Sequence, residues 1–261
     1  MNAQTDKPIL PHSDYRSSHL EEGEDYHAKF EEQVYRALIW SLEREALGAL
    51  IAARPDAGRA RLLDFACGAG RVLGALSRHA GTATGVDISA SMLAVAERVA
   101  PGTELICADL TRESPLKDRQ FDVITAFRFF PNAEPALREE AMGVLARLLA
   151  PGGSIIINNH RRAGSSKHRL RKLRARLGIA KAKDLHTMSD AEVSTLAERH
   201  GLVVNNVRTL GFLPVLKERR PLLPRGILLR LERRAAQVQW LEELGSHRIY
   251  ELRHASPAAA R

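Results

Sequence analysis

Asp64-Phe65-Ala66-Cys67-Gly68-Ala69-Gly70-Arg71 reads as a glycine turn at the end of a first strand, and a carboxylate follows each of the next two strands, at Asp87 and Asp109. The apolar Leu62-Leu63 leads into the turn, and Arg71-Val72-Leu73-Gly74-Ala75-Leu76 opens a helix, so the turn's amides point at whatever binds above the sheet. Two glycines let the chain bend sharply and let a ligand approach the backbone closely. A dinucleotide fingerprint needs a third glycine three residues after the second. Leu73 stands there instead and the next glycine is Gly74, so the spacing is wrong for a pyrophosphate.

The acids then say which nucleoside fits. Asp64, just before the turn, would repel a diphosphate but suits the ammonium group of an amino-acid tail, directly or through water. Asp87 ends Thr82-Ala83-Thr84-Gly85-Val86-Asp87, where a carboxylate can accept both hydroxyls of an unphosphorylated ribose. Asp109 can accept a hydrogen bond from an exocyclic amine such as that of adenine. Ammonium, ribose and adenine together describe S-adenosylmethionine, which is the expected cofactor.

Outward from the turn, strand and helix alternate. Strands are expected near 61–66, 82–87, 103–108, 121–127 and 153–159, with helices around 70–79, 89–100 and 135–150. Parallel links need crossovers, which are right-handed, so the expected class is α/β with a doubly wound, mostly parallel sheet. A helix over 24–53 precedes it, with Phe30, Val34, Leu38, Leu42 and Leu47 at helical spacing. Beyond the fifth strand, Ser189-Asp190-Ala191-Glu192 has the form of a capping box, 202–212 and 247–253 read as strands, and 213–246 as a helical connection whose stripe is Ile227, Leu228, Leu231, Ala235, Val238 and Leu241.

The stretch 62–159 resembles the cofactor half of the class I S-adenosylmethionine-dependent methyltransferase family. Residues 62–71 resemble its first motif, Gly85-Val86-Asp87-Ile88-Ser89 its second acidic motif, and Cys107-Ala108-Asp109-Leu110 its adenine-contacting segment; 121–127 and 149–157 resemble its fourth and fifth strands. Ala66 stands where the family often has a third glycine, which bears on the fine geometry of the turn. The resemblance implies a Rossmann-like, seven-stranded sheet with an antiparallel last strand and helical cap additions. It also implies cofactor contacts at Asp64, Ala66, Gly68, Gly70, Asp87, Ile88, Met92, Asp109, Leu110 and Phe127. The expected organisation is an amino-terminal arm and helical lid at 1–58, a cofactor-binding core at 59–160, a basic helical insertion at 161–188, and the rest of the sheet at 189–261 with an insertion at 213–246.

Methyl transfer is an in-line displacement at a carbon already activated by a sulfonium, so such a protein mainly positions and desolvates its reactants. The acceptor is expected above the carboxyl ends of the fourth and fifth strands. His160 follows the fifth strand and is the candidate base, against a structural or surface histidine. Arg128 follows the fourth and is the candidate anchor for an anionic substrate group or the cofactor carboxylate, against a surface arginine packing on Phe129. Phe127, Phe129 and Phe130 read as core and pocket wall. Tyr15, Tyr26 and His27 lie on the arm, where a lid role is expected, with a solvent-facing placement as the alternative for Tyr15. No clustered His and carboxylate set has ligand spacing, so no metal is expected.

The net charge of +8 is unevenly spread. Positions 161–183 hold ten Lys/Arg (Arg161, Arg162, Lys167, Arg169, Arg171, Lys172, Arg174, Arg176, Lys181 and Lys183) with no acid before Asp184, and Lys217, Arg219, Arg220, Arg225, Arg230, Arg233 and Arg234 form a second basic group. Glu21, Glu22, Glu24, Asp25, Glu31 and Glu32 make the arm acidic. Such a field attracts an anionic substrate, a phospholipid surface or RNA. Around Leu170, Leu173 and Leu177, one reading is a solvated helix packing by its leucines; the other is a helix lying on anionic lipid or clamping a phosphorylated substrate. Cys67 and Cys107 read as small buried thiols. With no apolar run long enough to span a bilayer and no secretory pattern at the start, a cytoplasmic location is expected, with peripheral contact at the inner face of the membrane in the lipid reading.

The functional expectation is methyl transfer to a hydroxyl or amine of a small, glycan- or lipid-linked anionic metabolite. The alternatives are an RNA or protein methyltransferase, and a non-catalytic S-adenosylmethionine-binding partner. Nucleic acid fits less well, because the position after the fourth strand lacks the Asn/Asp-Pro-Pro-Tyr/Phe type of motif and recognised RNA-binding signatures are absent.

Overall fold

The computed structural model describes residues 15–17, 34–160, 162–178, 187–213 and 223–255. Seven strands form one sheet: β1 Arg61–Phe65, β2 Thr82–Asp87, β3 Glu104–Cys107, β4 Phe121–Ala126, β5 Leu149–Asn159, β6 Leu202–Leu210 and β7 His247–His254. Their order is β3-β2-β1-β4-β5-β7-β6. The first five pair in parallel, and β7 runs antiparallel to both β5 and β6. The helices are α1 Val34–Ala52, α2 Arg71–Leu76, α3 Ala90–Val99, α4 Pro135–Leu148, α5 Ser166–Arg176, α6 Asp190–Arg199 and α7 Arg225–Ala235.

Successive strand residues point to opposite faces, and here both faces are apolar. Leu63, Ile124, Ile157 and Tyr250 join one core with α4 and α6; their neighbours Leu62, Val123, Ile156 and Ile249 join a second with α1 and α2. Helix α1 supplies Tyr35, Ile39, Leu42, Leu47 and Ile51 to that second core. Ser189 caps α6: its hydroxyl accepts the Glu192 N–H and the Glu192 carboxylate takes the Ser189 N–H, the reciprocal pair expected of that motif.

Several expectations need correction. Cys107 is exposed, because β3 is an edge strand with no neighbour beyond it; Cys67 is buried. The apolar stripe expected within 213–246 divides on α7, with Leu228 buried and Ile227 and Leu231 exposed. Leu228 and Glu232, one turn apart, face inward, and the Glu232 carboxylate accepts the Phe212 and Leu213 N–H groups at 3.0 and 2.8 Å, which turns Ile227 and Leu231 outward. On α5 the three leucines do not pack: Leu170, Leu173 and Leu177 are 56%, 52% and 63% exposed. Arg162 leaves the basic surface altogether. It is 2% exposed and pairs with Asp190 and Glu243, which Arg248 also holds. The acidic arm at 21–32 with Tyr26 and His27, and Arg161, Lys181, Lys183, Asp184, Lys217, Arg219 and Arg220 of the basic groups, lie outside the described residues.

Candidate functional site

The strand order reverses between β1 and β4, and a cavity opens there at the carboxyl ends of the strands. Its floor is the glycine turn. Gly68 and Gly70 have φ of 53° and 75°, and Ala66 adopts the same left-handed backbone at 52°. Ala66 and Gly68 line the cavity. Gly70 does not: a Cβ there would stand 2.9 Å from the Ala96 Cα, so this glycine lets α2 pack tightly on α3. That is a different service from the ligand contact its position suggests.

Asp64 lines the cavity but is only 1% exposed. Its carboxylate accepts the Thr125 hydroxyl at 2.6 Å and the Leu73 N–H at 3.1 Å, tying β1 to β4 and to α2. Burial, only partly offset by those bonds and by Arg71, pushes its pKa up to about 7. Asp87 accepts the Gly68 N–H at 2.8 Å and the Ser89 N–H at 2.9 Å, one on each oxygen. Ile88 and Met92, which follow on the β2 to α3 connection and in α3, line the same wall.

At the far end, one Asp109 oxygen accepts the Thr111 N–H and hydroxyl at 2.9 and 2.6 Å, and the other accepts the Arg16 guanidinium at 2.9 Å. Burial raises this carboxyl, but the Thr111 and Arg16 contacts outweigh it and hold the group below the usual carboxylate range. Arg16 was not foreshadowed in the sequence. It reaches Asp109 across 93 positions, and no local pattern marks it. Arg16 also bonds Thr111 and Glu140, while Tyr15 donates its N–H to Glu134, sends its hydroxyl to the Arg128 carbonyl and sets its ring edge-on to Phe129 at 5.5 Å. The piece 15–17 of the arm therefore closes the cavity over Asp109 and Phe129.

Leu110, Phe127 and Arg128 complete the wall. Arg128 has φ of 63°, held by its N–H on the Asn158 Oδ1 at 2.6 Å and by Tyr15 on its carbonyl. Asn158 in turn donates to Glu43, a carboxylate of α1 that is 4% exposed and lies 3.6 Å from Arg71. Arg71 lines the cavity and lies 4.0 Å over the Trp40 ring. His160, half-buried at the bend after β5, is not among the lining residues.

A doubly wound α/β sheet, a glycine turn at its switch point and three acids around one cavity define a nucleoside-binding protein of the Rossmann-like class. Residues 63–157 match the family described as a methyltransferase domain. The ubiquinone biosynthesis O-methyltransferase of Paracidovorax citrulli is 33% identical over 150 residues, 50% of this chain and 59% of that protein. The malonyl-[acyl-carrier protein] O-methyltransferase of Enterobacter lignolyticus is 33% identical over 115 residues, 43% of each. The chain thus spans about half the length of the curated relatives it matches. Among solved structures, magnesium protoporphyrin IX methyltransferase from Synechocystis PCC 6803 with bound SAH superposes with a TM-score of 0.64 at 13% identity, over 92% of this chain and 98% of its own, a likeness of fold. Residues 63–157 thus match a methyltransferase domain, on a sheet that has the fold of solved methyltransferases.

Proposed function

We propose that the cavity binds S-adenosylmethionine and that the protein transfers its methyl group to a hydroxyl of a small anionic acceptor, free or linked to a lipid or glycan. The observation that carries this reading is the convergence of Asp64, Asp87 and Asp109 on one cavity at the switch point. In it, Asp87 at the end of β2 takes the ribose hydroxyls, Asp64 faces the ammonium group, and Asp109 with Leu110 borders the adenine. Ile88 and Met92 pack on the nucleoside, and Phe127 closes the tail end.

Arg128 and Arg71, both on the wall, favour an acceptor with a carboxylate or phosphate. Oxygen is preferred to nitrogen because two curated relatives, the ubiquinone biosynthesis and malonyl-[acyl-carrier protein] enzymes, are named as O-methyltransferases. His160 lies off the lining and is assigned no part in proton removal; the S–CH3 bond breaks as the O–CH3 bond forms, the sulfur leaves neutral as S-adenosylhomocysteine and the hydroxyl proton passes to solvent, so the protein contributes chiefly alignment.

Calorimetry with S-adenosylmethionine and S-adenosylhomocysteine tests the cofactor half. Both should bind, and Asp87→Ala should weaken binding by about a hundredfold or more, since two hydroxyl bonds to an ionised group are lost. Transfer of labelled methyl to a panel of hydroxylated acids tests the other half. Absence of heat on folded protein refutes the whole reading; binding with no product from any acceptor would favour a partner protein without turnover.

A further inference from the structure

The surface of α5 is built the wrong way round for a helix that only supports the fold. Among its residues whose burial is described, the half-buried ones are His168 and Ala175, on one side, while Leu170, Leu173 and Leu177 share the opposite side and are each more than half exposed. Exposed Arg169, Arg174 and Arg176 flank the leucines, and 166–176 contains no acid. Helix α5 touches the 3-10 segment Gln239–Leu244, which adds Trp240, 75% exposed, and Leu244, 40% exposed. That segment carries two acids. Both are exposed, but the Glu243 carboxylate, 68% exposed, is paired with Arg162 and Arg248.

We propose that this face docks on an anionic lipid bilayer, with Leu170, Leu173, Leu177 and Trp240 entering the boundary between headgroups and acyl chains and the flanking arginines meeting lipid phosphates. An apolar stripe with a basic border is the pattern of a helix lying in the interface plane. No described helix is long and apolar enough to cross a membrane. A nucleic acid would satisfy the arginines and leave three leucines and a tryptophan in water, whereas a bilayer satisfies both. Tryptophan is also the side chain favoured at the headgroup level. The surface lies apart from the cavity, so the proposal does not depend on methyl transfer.

The test is sedimentation of the full chain with phosphatidylcholine vesicles, with and without about 30% phosphatidylglycerol. Binding is expected only with the anionic lipid, and should weaken at least about fivefold as salt rises from about 0.1 to about 0.5 M. Leu170→Ser, Leu173→Ser and Leu177→Ser combined should weaken it at least about tenfold while the thermal melt and the cofactor affinity stay put, because these side chains are already in water. Trp240→Ser should weaken it separately. In a Trp40→Phe background, Trp240 emission should shift to the blue with anionic vesicles. No binding at low salt, binding indifferent to the leucines and Trp240, tighter binding to an RNA oligonucleotide, or leucine-dependent self-association in place of vesicle binding would each overturn the proposal.

Discussion

Asp64 makes a quantitative prediction because one carboxylate should act with opposite sign on stability and on ligand binding. Burial lifts its folded pKa to about 7 from an ordinary 3.8. The folded, empty protein therefore binds a proton that the unfolded chain releases above about pH 4. The stability this group contributes is full below that point and is lost as pH rises through about 7, a change of up to about 4 kcal/mol, three pH units at about 1.4 kcal/mol each. A ligand ammonium beside Asp64 reverses the preference, since it favours the ionised carboxylate. Cofactor affinity should then rise by about eightfold from roughly pH 5.5 to 6.5 and by about twofold more toward pH 7.5, where a gain of about threefold from Asp64 is partly offset as the ligand's own amine, near 7.7 to 8.0, begins to lose its proton.

The assay is calorimetry at several pH values in buffers of different ionisation enthalpy, which counts protons directly. Near pH 6, binding should release about 0.8 to 0.9 of a proton. The control is Asp64→Asn. Its amide oxygen can still accept the Leu73 N–H, and its amide nitrogen can donate to the Thr125 hydroxyl, which serves as acceptor as readily as donor. The variant should bind more weakly near pH 7 with a flat pH profile, and in denaturant titrations its stability relative to the unsubstituted chain should grow from pH 4 to pH 7. Equal proton release in both proteins, or affinity independent of pH in the unsubstituted chain, would refute the pairing of Asp64 with the ammonium group.

Three further outcomes follow from the turn and the buried ion pairs. Gly70→Ala should cost about 2 to 4 kcal/mol in urea unfolding, because a Cβ there stands 2.9 Å from the Ala96 backbone and φ is 75°. Ala66→Gly should stabilise by up to about 1 kcal/mol, the relief of a left-handed alanine at φ of 52° less the added freedom of glycine when unfolded; Ala66→Val should destabilise by more than about 1 kcal/mol. Arg162→Ala should cost about 1 to 3 kcal/mol and leave cofactor binding unchanged, since Arg162 is buried against Asp190 and Glu243 away from the cavity.

The parts of the fold legible in the sequence are those where local chemistry and tertiary placement coincide. Leu62 and Leu63 face two different cores, and a strand buried on both faces writes that as an unbroken apolar run. Asp87 must sit at the end of a strand after a glycine turn, and both signals lie within the chain around it. Ser189 and Glu192 cap a helix through each other, three residues apart. Where placement depends on a distant partner, the same reading had nothing to work with. A helical stripe gives the phase of the apolar residues but not the direction they face, and so the sequence left open whether the leucines of α5 pack or look outward, as they do. On α7 the deciding residue is a charged one, Glu232, which periodicity counts as solvent-facing although it caps the turn after β6 from inside.

Arg16 extends the same point to the site itself. Its guanidinium occupies one oxygen of Asp109 while Thr111 occupies the other, so the acid read from the sequence as an acceptor already holds two partners. Those bonds stabilise the ionised form, and an ionised carboxylate with lone pairs to spare remains an acceptor. Arg16 also bonds Glu140 of α4, and its neighbour Tyr15 rests on Phe129 and on the Arg128 carbonyl. The arm is thereby tied to the wall beside the expected adenine position and to the backbone of the proposed acceptor anchor. A nucleoside held between Asp87 and Asp109 would support the surface on which Tyr15 rests, which links occupancy at one end of the cavity to the shape of the other.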